Sequence, residues 1–143
     1  MTLILLVLGF LPLGVGLLFE RFILSYPPDQ VPPYFILGLL FLLLWGAVAF
    51  FAAGWERQRL RVVGLLNAPA LLFLLLNGVQ TLLLKTFWPN VLGLWSQDFF
   101  LPVLPVAGRI ARFLPTAFSP FAAAFLLMAG ASLAGAEARS RFF

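Results

Sequence analysis

The chain has 143 residues, of which 63% are hydrophobic and 10% are charged, and its formal net charge is +4. Soluble domains carry roughly 25% charged residues, so this composition excludes a water-exposed globular surface and leaves room for a single membrane domain. The chain contains no Cys and no His, which excludes disulfides, thiolate chemistry and metal or haem sites built on those side chains.

Four long apolar segments follow one another along the chain. They cover about residues 3–24, 34–54, 62–84 and 118–136. Each has close to the ~20 residues with which a helix crosses ~30 Å of hydrocarbon. Helices are favoured in lipid because they satisfy their backbone polar groups internally. The expected fold class is therefore an all-α integral membrane protein, with four transmembrane helices in one domain over residues 1–143.

The first segment and the linker after it differ in stiffness. Gly9, Pro12, Gly14 and Gly16 make the first segment bendable, although such residues are ordinary in membrane helices. The linker at 26–34 has four prolines within seven residues. Proline blocks helix and favours extended chain, so this linker is expected to be a rigid connector.

Basic residues predict the orientation of the four segments. The short second linker, residues 55–61, carries Arg57, Arg59 and Arg61. Arginines close to membrane segments mark cytoplasmic loops. With four spans both termini then lie in the cytoplasm, in agreement with Arg139 and Arg141 near the C terminus. The expected location is the plasma membrane of a bacterium.

The third segment carries most of the polar side chains found within the apolar runs. At 100° per residue four of them fall within a sector of about 100° on one helix face, and a fifth, Gln80, flanks that sector. The four are Asn67, Asn77, Thr81 and Lys85. This face either lines a pathway or small polar pocket, or hydrogen-bonds to neighbouring helices. Glu20 and Lys85 lie near the same predicted membrane surface, so they either form an ion pair or are solvated separately.

The third linker is long and apolar. Within it, residues 99–114 predict a short amphipathic helix lying in the membrane interface. A re-entrant hairpin is the alternative, because Pro102 and Pro105 would break a spanning helix. Arg109 and Arg112 are one helical turn apart beside aromatic residues, so contacts with anionic lipid head groups are expected from them.

The fourth segment is rich in small residues. Gly130 and Ala134 form one small-xxx-small pair, and Ala131 and Gly135 form a second. Such pairs let helix backbones approach closely in lipid. Helix–helix contacts are therefore expected here, either within the chain or with a partner.

These features leave three hypotheses about function. The first is a structural or accessory subunit of a larger membrane complex, because the spans lack central charges and carry small-residue faces. The second is a small homo-oligomeric channel or transporter that uses the polar face of the third segment. The third is a lipid-binding protein or membrane enzyme. We expect no catalytic residues, cofactor, metal or nucleic acid. The expected partners are the bilayer, its anionic head groups, and either other membrane subunits or further copies of the chain.

Overall fold

The computed structural model describes residues 1–143 as a bundle of helices, with no strand. The α-helices are α1 Thr2–Gly9, α2 Leu11–Ser25, α3 Tyr34–Ala52, α4 Arg59–Gly78, α5 Val91–Asp98, α6 Leu104–Ala111 and α7 Ser119–Phe142. A π-helical turn, Val79–Leu83, continues α4. Four helical stretches are long and apolar enough to cross a membrane: Thr2–Ser25, Tyr34–Ala52, Arg59–Leu83 and Ser119–Phe142. The all-helical class and the four candidate spans are confirmed.

The first span is interrupted at Phe10, which separates α1 from α2. Pro12 has no N–H and occupies the first turn of α2, a position that proline tolerates at a helix start but not in a helix interior. The Phe10 N–H instead donates to the Val7 carbonyl oxygen at 3.0 Å. Before this break, α1 packs closely against α4, because a Cβ at Gly9 would stand 2.8 Å from the Leu66 carbonyl oxygen.

The span formed by α4 is irregular at its end and remains α-helical around its proline. It continues through Pro69 without interruption. Its last turn widens, with the Leu84 N–H donating to the Val79 carbonyl oxygen five residues back, at 3.0 Å. Lys85 then adopts a positive φ of 53°, a conformation that ends a helix. A π turn shifts the helical phase of the residues after it, so Lys85, which is predicted at the outer end of the third segment, does not continue the polar face.

Both termini and the second linker lie at one end of the bundle. Arg59 Nη1 is 2.6 Å from Glu137 Oε2, and Arg61 Nη2 donates to Thr2 Oγ1 at 2.9 Å. We call this the arginine-rich end. The proline-rich linker lies at the other end, together with the turn before α5 and the turn after α6. We call this the opposite end.

The third linker folds back into the bundle as a helical hairpin, residues 91–111, made of α5 and α6. Its corner, residues 99–103, is buried except for the partly exposed Leu101, with Phe99, Phe100 and Val103 fully enclosed. Phe99 stacks on Phe73 of α4 with ring centroids 4.8 Å apart. Phe73 lies ten residues before the end of the span, or about 15 Å along the helix axis, so the corner reaches deep between the helices. The segment predicted at 99–114 is thus a buried corner followed by the short helix α6.

Candidate functional site

Asn67 connects α4 to α7. Its buried side-chain Nδ2 donates to Ser132 Oγ at 2.8 Å and to the Val63 carbonyl oxygen at 2.8 Å. Ser132 is itself fully buried and donates to the Ala129 carbonyl oxygen at 2.9 Å. The amide therefore faces a neighbouring helix, and its Oδ1 is buried without a hydrogen-bond partner.

A second polar group joins the far end of α4 to the hairpin. Asn77 Nδ2 donates to the Ser96 carbonyl oxygen at 2.7 Å, and Gln80 Nε2 donates to Ser96 Oγ at 3.0 Å. The Trp88 N–H donates to Gln80 Oε1 at 2.9 Å. Asn77, Gln80 and Ser96 are all fully buried. We call these four residues the Ser96 network; it fixes α5 and the turn before it against α4.

The five residues of the predicted polar face therefore have different surroundings. Asn67 and the Ser96 network are separated by about 15 Å along α4, and the buried side chains between them include Ala70 and Phe73. Thr81 donates to the Asn77 carbonyl oxygen at 2.7 Å, within its own helix. Lys85 is exposed and lies beyond the helix end. The polar groups thus form two separate clusters rather than one continuous line.

Lys85 does not pair with Glu20. The three ion pairs of the chain all lie at the arginine-rich end. Because the π turn and the positive φ redirect the chain, Lys85 borders a small cavity of about 120 Å³ with Thr81 and Phe87. Glu20 faces a different cavity, of about 270 Å³, between α2 and the hairpin. Of the two alternatives for Glu20 and Lys85, the ion pair is therefore wrong.

Asp98 is the residue that sequence reasoning missed. The sequence places it in a loop with no visible partner, but only 8% of its surface is exposed, and it borders the same cavity as Glu20. Burial, and secondarily the Glu20 carboxylate, raises the pKa of Asp98 to about 6. The one signal available in the sequence is that Asp98 directly precedes the apolar run Phe99–Leu101.

Arg109 of α6 and Arg112, which directly follows α6, lie at the opposite end. The Arg109 guanidinium lies 4.0 Å from the centre of the Phe35 ring, and that of Arg112 lies 4.7 Å from the Phe113 ring. Both are exposed and neither is in an ion pair. Arg109 also borders a cavity of about 410 Å³ formed with residues 31–36. Their charges are free to meet an anion.

The two small-residue pairs of α7 have different environments. Ala131 and Gly135 face α3, where a Cβ at Gly135 would overlap the Gly46 carbonyl oxygen. Gly130 and Ala134 are exposed, and a Cβ at Gly130 would meet nothing within 4 Å. An apolar groove of about 740 Å³ runs between α3 and α7, and Ala134 forms part of its wall.

Comparison with known proteins adds no assignment to this geometry. The chain matches no model of a known protein family, and no curated protein or solved structure is significantly similar to it.

Proposed function

We propose that the protein is a structural or accessory subunit of a larger membrane protein complex. The observation that carries this proposal is how the chain distributes its polar and small residues. The buried amides of α4 hydrogen-bond within the chain, whereas Ala134 of α7 is exposed in the wall of an apolar groove and Gly130 is exposed one turn before it. Such a protein uses its buried amides to hold its own helices together, while its exposed small residues can pack against a neighbouring helix.

The groove between α3 and α7 suits a transmembrane helix of a neighbouring subunit. Its lining is mainly apolar and includes the small residues Gly46, Ala47 and Ala134. In lipid the hydrophobic effect contributes little between helices, so association depends on close packing, which small residues permit. The partner in this proposal is another membrane subunit; a second copy of the chain is the other occupant that the experiment distinguishes.

In this proposal the protein lies in a bacterial plasma membrane with its arginine-rich end in the cytoplasm. The second linker, which is rich in arginine, supports that orientation. The hairpin is then re-entrant from the outer side. α5 begins and α6 ends at the opposite end, while the corner between them contacts Phe73. Non-helical backbone at such depth is tolerated where protein surrounds it, and the corner is surrounded by α4 and α7.

The experiment is native mass spectrometry of the protein extracted gently from its source membrane. We expect it to be bound to different polypeptides. Gly130→Leu or Ala134→Leu should release them without unfolding the chain. Gly64→Leu is the matched control, because Gly64 is also exposed on a span with nothing within 4 Å of its Cβ. A protein found alone, or only with copies of itself, contradicts the accessory role.

A second candidate, binding of anionic lipid head groups, is favoured by Arg109 and Arg112. Both are exposed at the opposite end, one helical turn apart, and unpaired. Two such cations attract phosphate groups at a membrane surface. Its test is co-sedimentation with phosphatidylglycerol vesicles, which Arg109→Ala with Arg112→Ala should weaken; unchanged binding rejects it. A conducting path along α4 finds less support, because the amides that would line it are bonded to Ser96 and Ser132.

A further inference from the structure

The cavity between α2 and the hairpin contains two carboxylates and no cation. Its volume is about 270 Å³ and its polar lining is Glu20, Gln97 and Asp98. The rest of the lining is apolar: Ile23, Leu24, Leu101, Leu104 and Phe121. Acidic side chains surrounded by apolar walls attract positive charge strongly, because little water screens them.

Asp98 is the central group of this cavity. The residue is more than nine-tenths buried, and its carboxylate accepts no hydrogen bond from the chain and forms no ion pair. The carboxylate oxygens stay open to the cavity, and a partly desolvated carboxylate without a partner is unfavourable unless a cation compensates it. Enclosed ionisable residues that lack a protein partner are for this reason candidates for ligand contact.

The fold holds the two carboxylates on facing surfaces. The backbone of α2 meets the end of α5 at Gly16, where an added Cβ would overlap the Asp98 carbonyl oxygen. Glu20 lies one helical turn after Gly16 and therefore on the same face of α2. Its negative charge acts on Asp98 across the cavity. Glu20 is five residues before the end of α2, about 8 Å along the axis, so the cavity lies near the opposite end of the bundle.

We propose that this cavity binds an ammonium or guanidinium group attached to an apolar body. The two carboxylates complement the cation, and the leucine and isoleucine walls accommodate hydrocarbon. Phe121 adds an aromatic ring, and such rings attract organic cations through their faces. Two carboxylates and one amide suit this chemistry better than a calcium ion, which takes 6–8 oxygen ligands. The same group could be carried by a free organic amine or by a basic side chain of a neighbouring subunit.

Binding by this cavity should depend on pH. Burial raises the pKa of Asp98 to about 6, so the carboxylate becomes charged, and able to hold a cation, as the pH rises through that value. Glu20 is the titratable neighbour from α2. The residues that α4 directs at α5 are the amides Asn77 and Gln80, and α7 contributes Phe121, so neither helix adds a charge.

The test is isothermal titration of benzylammonium into the full chain in phosphatidylcholine nanodiscs, with empty nanodiscs subtracted. We expect saturable binding that strengthens as the pH rises through about 6, and none for benzyl alcohol, which has the same ring without the charge. Asp98→Asn and Glu20→Gln should each weaken binding by roughly tenfold or more. Asp29→Asn, which removes an acid from the exposed linker between α2 and α3, should leave it unchanged.

Asp98→Asn keeps the side-chain shape and removes a charge whose burial is unfavourable, so thermal unfolding of this variant should occur no lower than that of wild type. Loss of binding then reports the site and not misfolding. Equal binding by wild type and by the variant with both substitutions overturns the proposal, as does the absence of binding to wild type. If benzylammonium displaces a co-purified polypeptide, and Asp98→Asn also loses it, the natural cation is a partner's side chain; binding without displacement indicates a free amine. Binding of benzylammonium does not require the proposed subunit role, so the two proposals can fail separately.

Discussion

Substitution of Gln80 by Leu tests whether the Ser96 network holds the hairpin in the bundle. Gln80 is fully buried. Its side chain donates to Ser96 Oγ at 3.0 Å and accepts from the Trp88 N–H at 2.9 Å. Leucine has similar bulk, so the change removes these bonds with little change in packing.

The free energies of these two hydrogen bonds set the size of the effect. A hydrogen bond between helices in a membrane protein contributes about 0.6–2 kcal/mol. The Trp88 N–H, left without its acceptor in a half-buried position, adds about 1–2 kcal/mol. Gln80→Leu should therefore lower the free energy of unfolding by about 2–4 kcal/mol.

The assay is reversible unfolding in detergent–lipid bicelles, followed by Trp fluorescence. Gln97→Leu is the matched control, since Gln97 bonds only to the Gly93 carbonyl oxygen of its own helix, at 3.2 Å, and should cost less than about 1 kcal/mol. Combining Gln80→Leu with Ser96→Ala should show coupling of about 0.6–2 kcal/mol, because the two side chains share one bond. A Gln80→Leu protein within about 0.5 kcal/mol of wild type would refute the claim that this network anchors the hairpin.

Three further predictions concern close approaches and charge burial. Gly135→Ala should lower the free energy of unfolding by about 1–3 kcal/mol, because the added Cβ overlaps α3. Gly130→Ala should leave that free energy unchanged or raise it by up to about 1 kcal/mol. Equal melting temperatures of these two variants would contradict this. Gly16→Ala should likewise lower the melting temperature and Gly14→Ala should not, since only the first meets the hairpin. The pKa of Asp98 rises on folding from 3.8 to about 6, so the folded protein retains a proton that the unfolded chain releases. Stability should therefore fall as the pH rises from about 4 to 6, and unfolding of Asp98→Asn at both pH values should show a flatter dependence.

The spans were predictable because bilayer thickness sets the length of an apolar run. The second, predicted at 34–54, is Tyr34–Ala52 and begins directly after a proline. The fourth, predicted at 118–136, extends to Phe142. Its last turns contain Glu137 and Arg141, which contact each other one turn apart at 3.5 Å. Hydropathy marks where the apolar run ends, whereas this helix continues beyond it on polar residues.

The sequence offered a hairpin only as one of two alternatives for residues 99–114, and the packing of the hairpin and the cavity beside it could not be predicted. α5 and α6 have eight residues each, too few for periodicity to identify a buried face. Their positions are set by tertiary contacts: Ser96 meets amides from α4, and Asp98 meets the backbone of α2 at Gly16. Spacing alone predicted one polar face on α4, whereas the amides lie in two clusters about 15 Å apart, and the π turn near the helix end left Lys85 outside both.

The enclosure of the hairpin corner has a consequence for biosynthesis. Phe100 packs edge-on against Phe121 of α7, with ring centroids 6.0 Å apart, and α7 is synthesised after the hairpin. In the proposed membrane placement, the spans can insert individually in the order of translation. The helices that enclose the corner are complete only once α7 has inserted. Until then the hairpin is an apolar, unpacked segment at the outer surface, and it packs between the helices afterwards. Docking of the hairpin is thus the last step by which this bundle is completed.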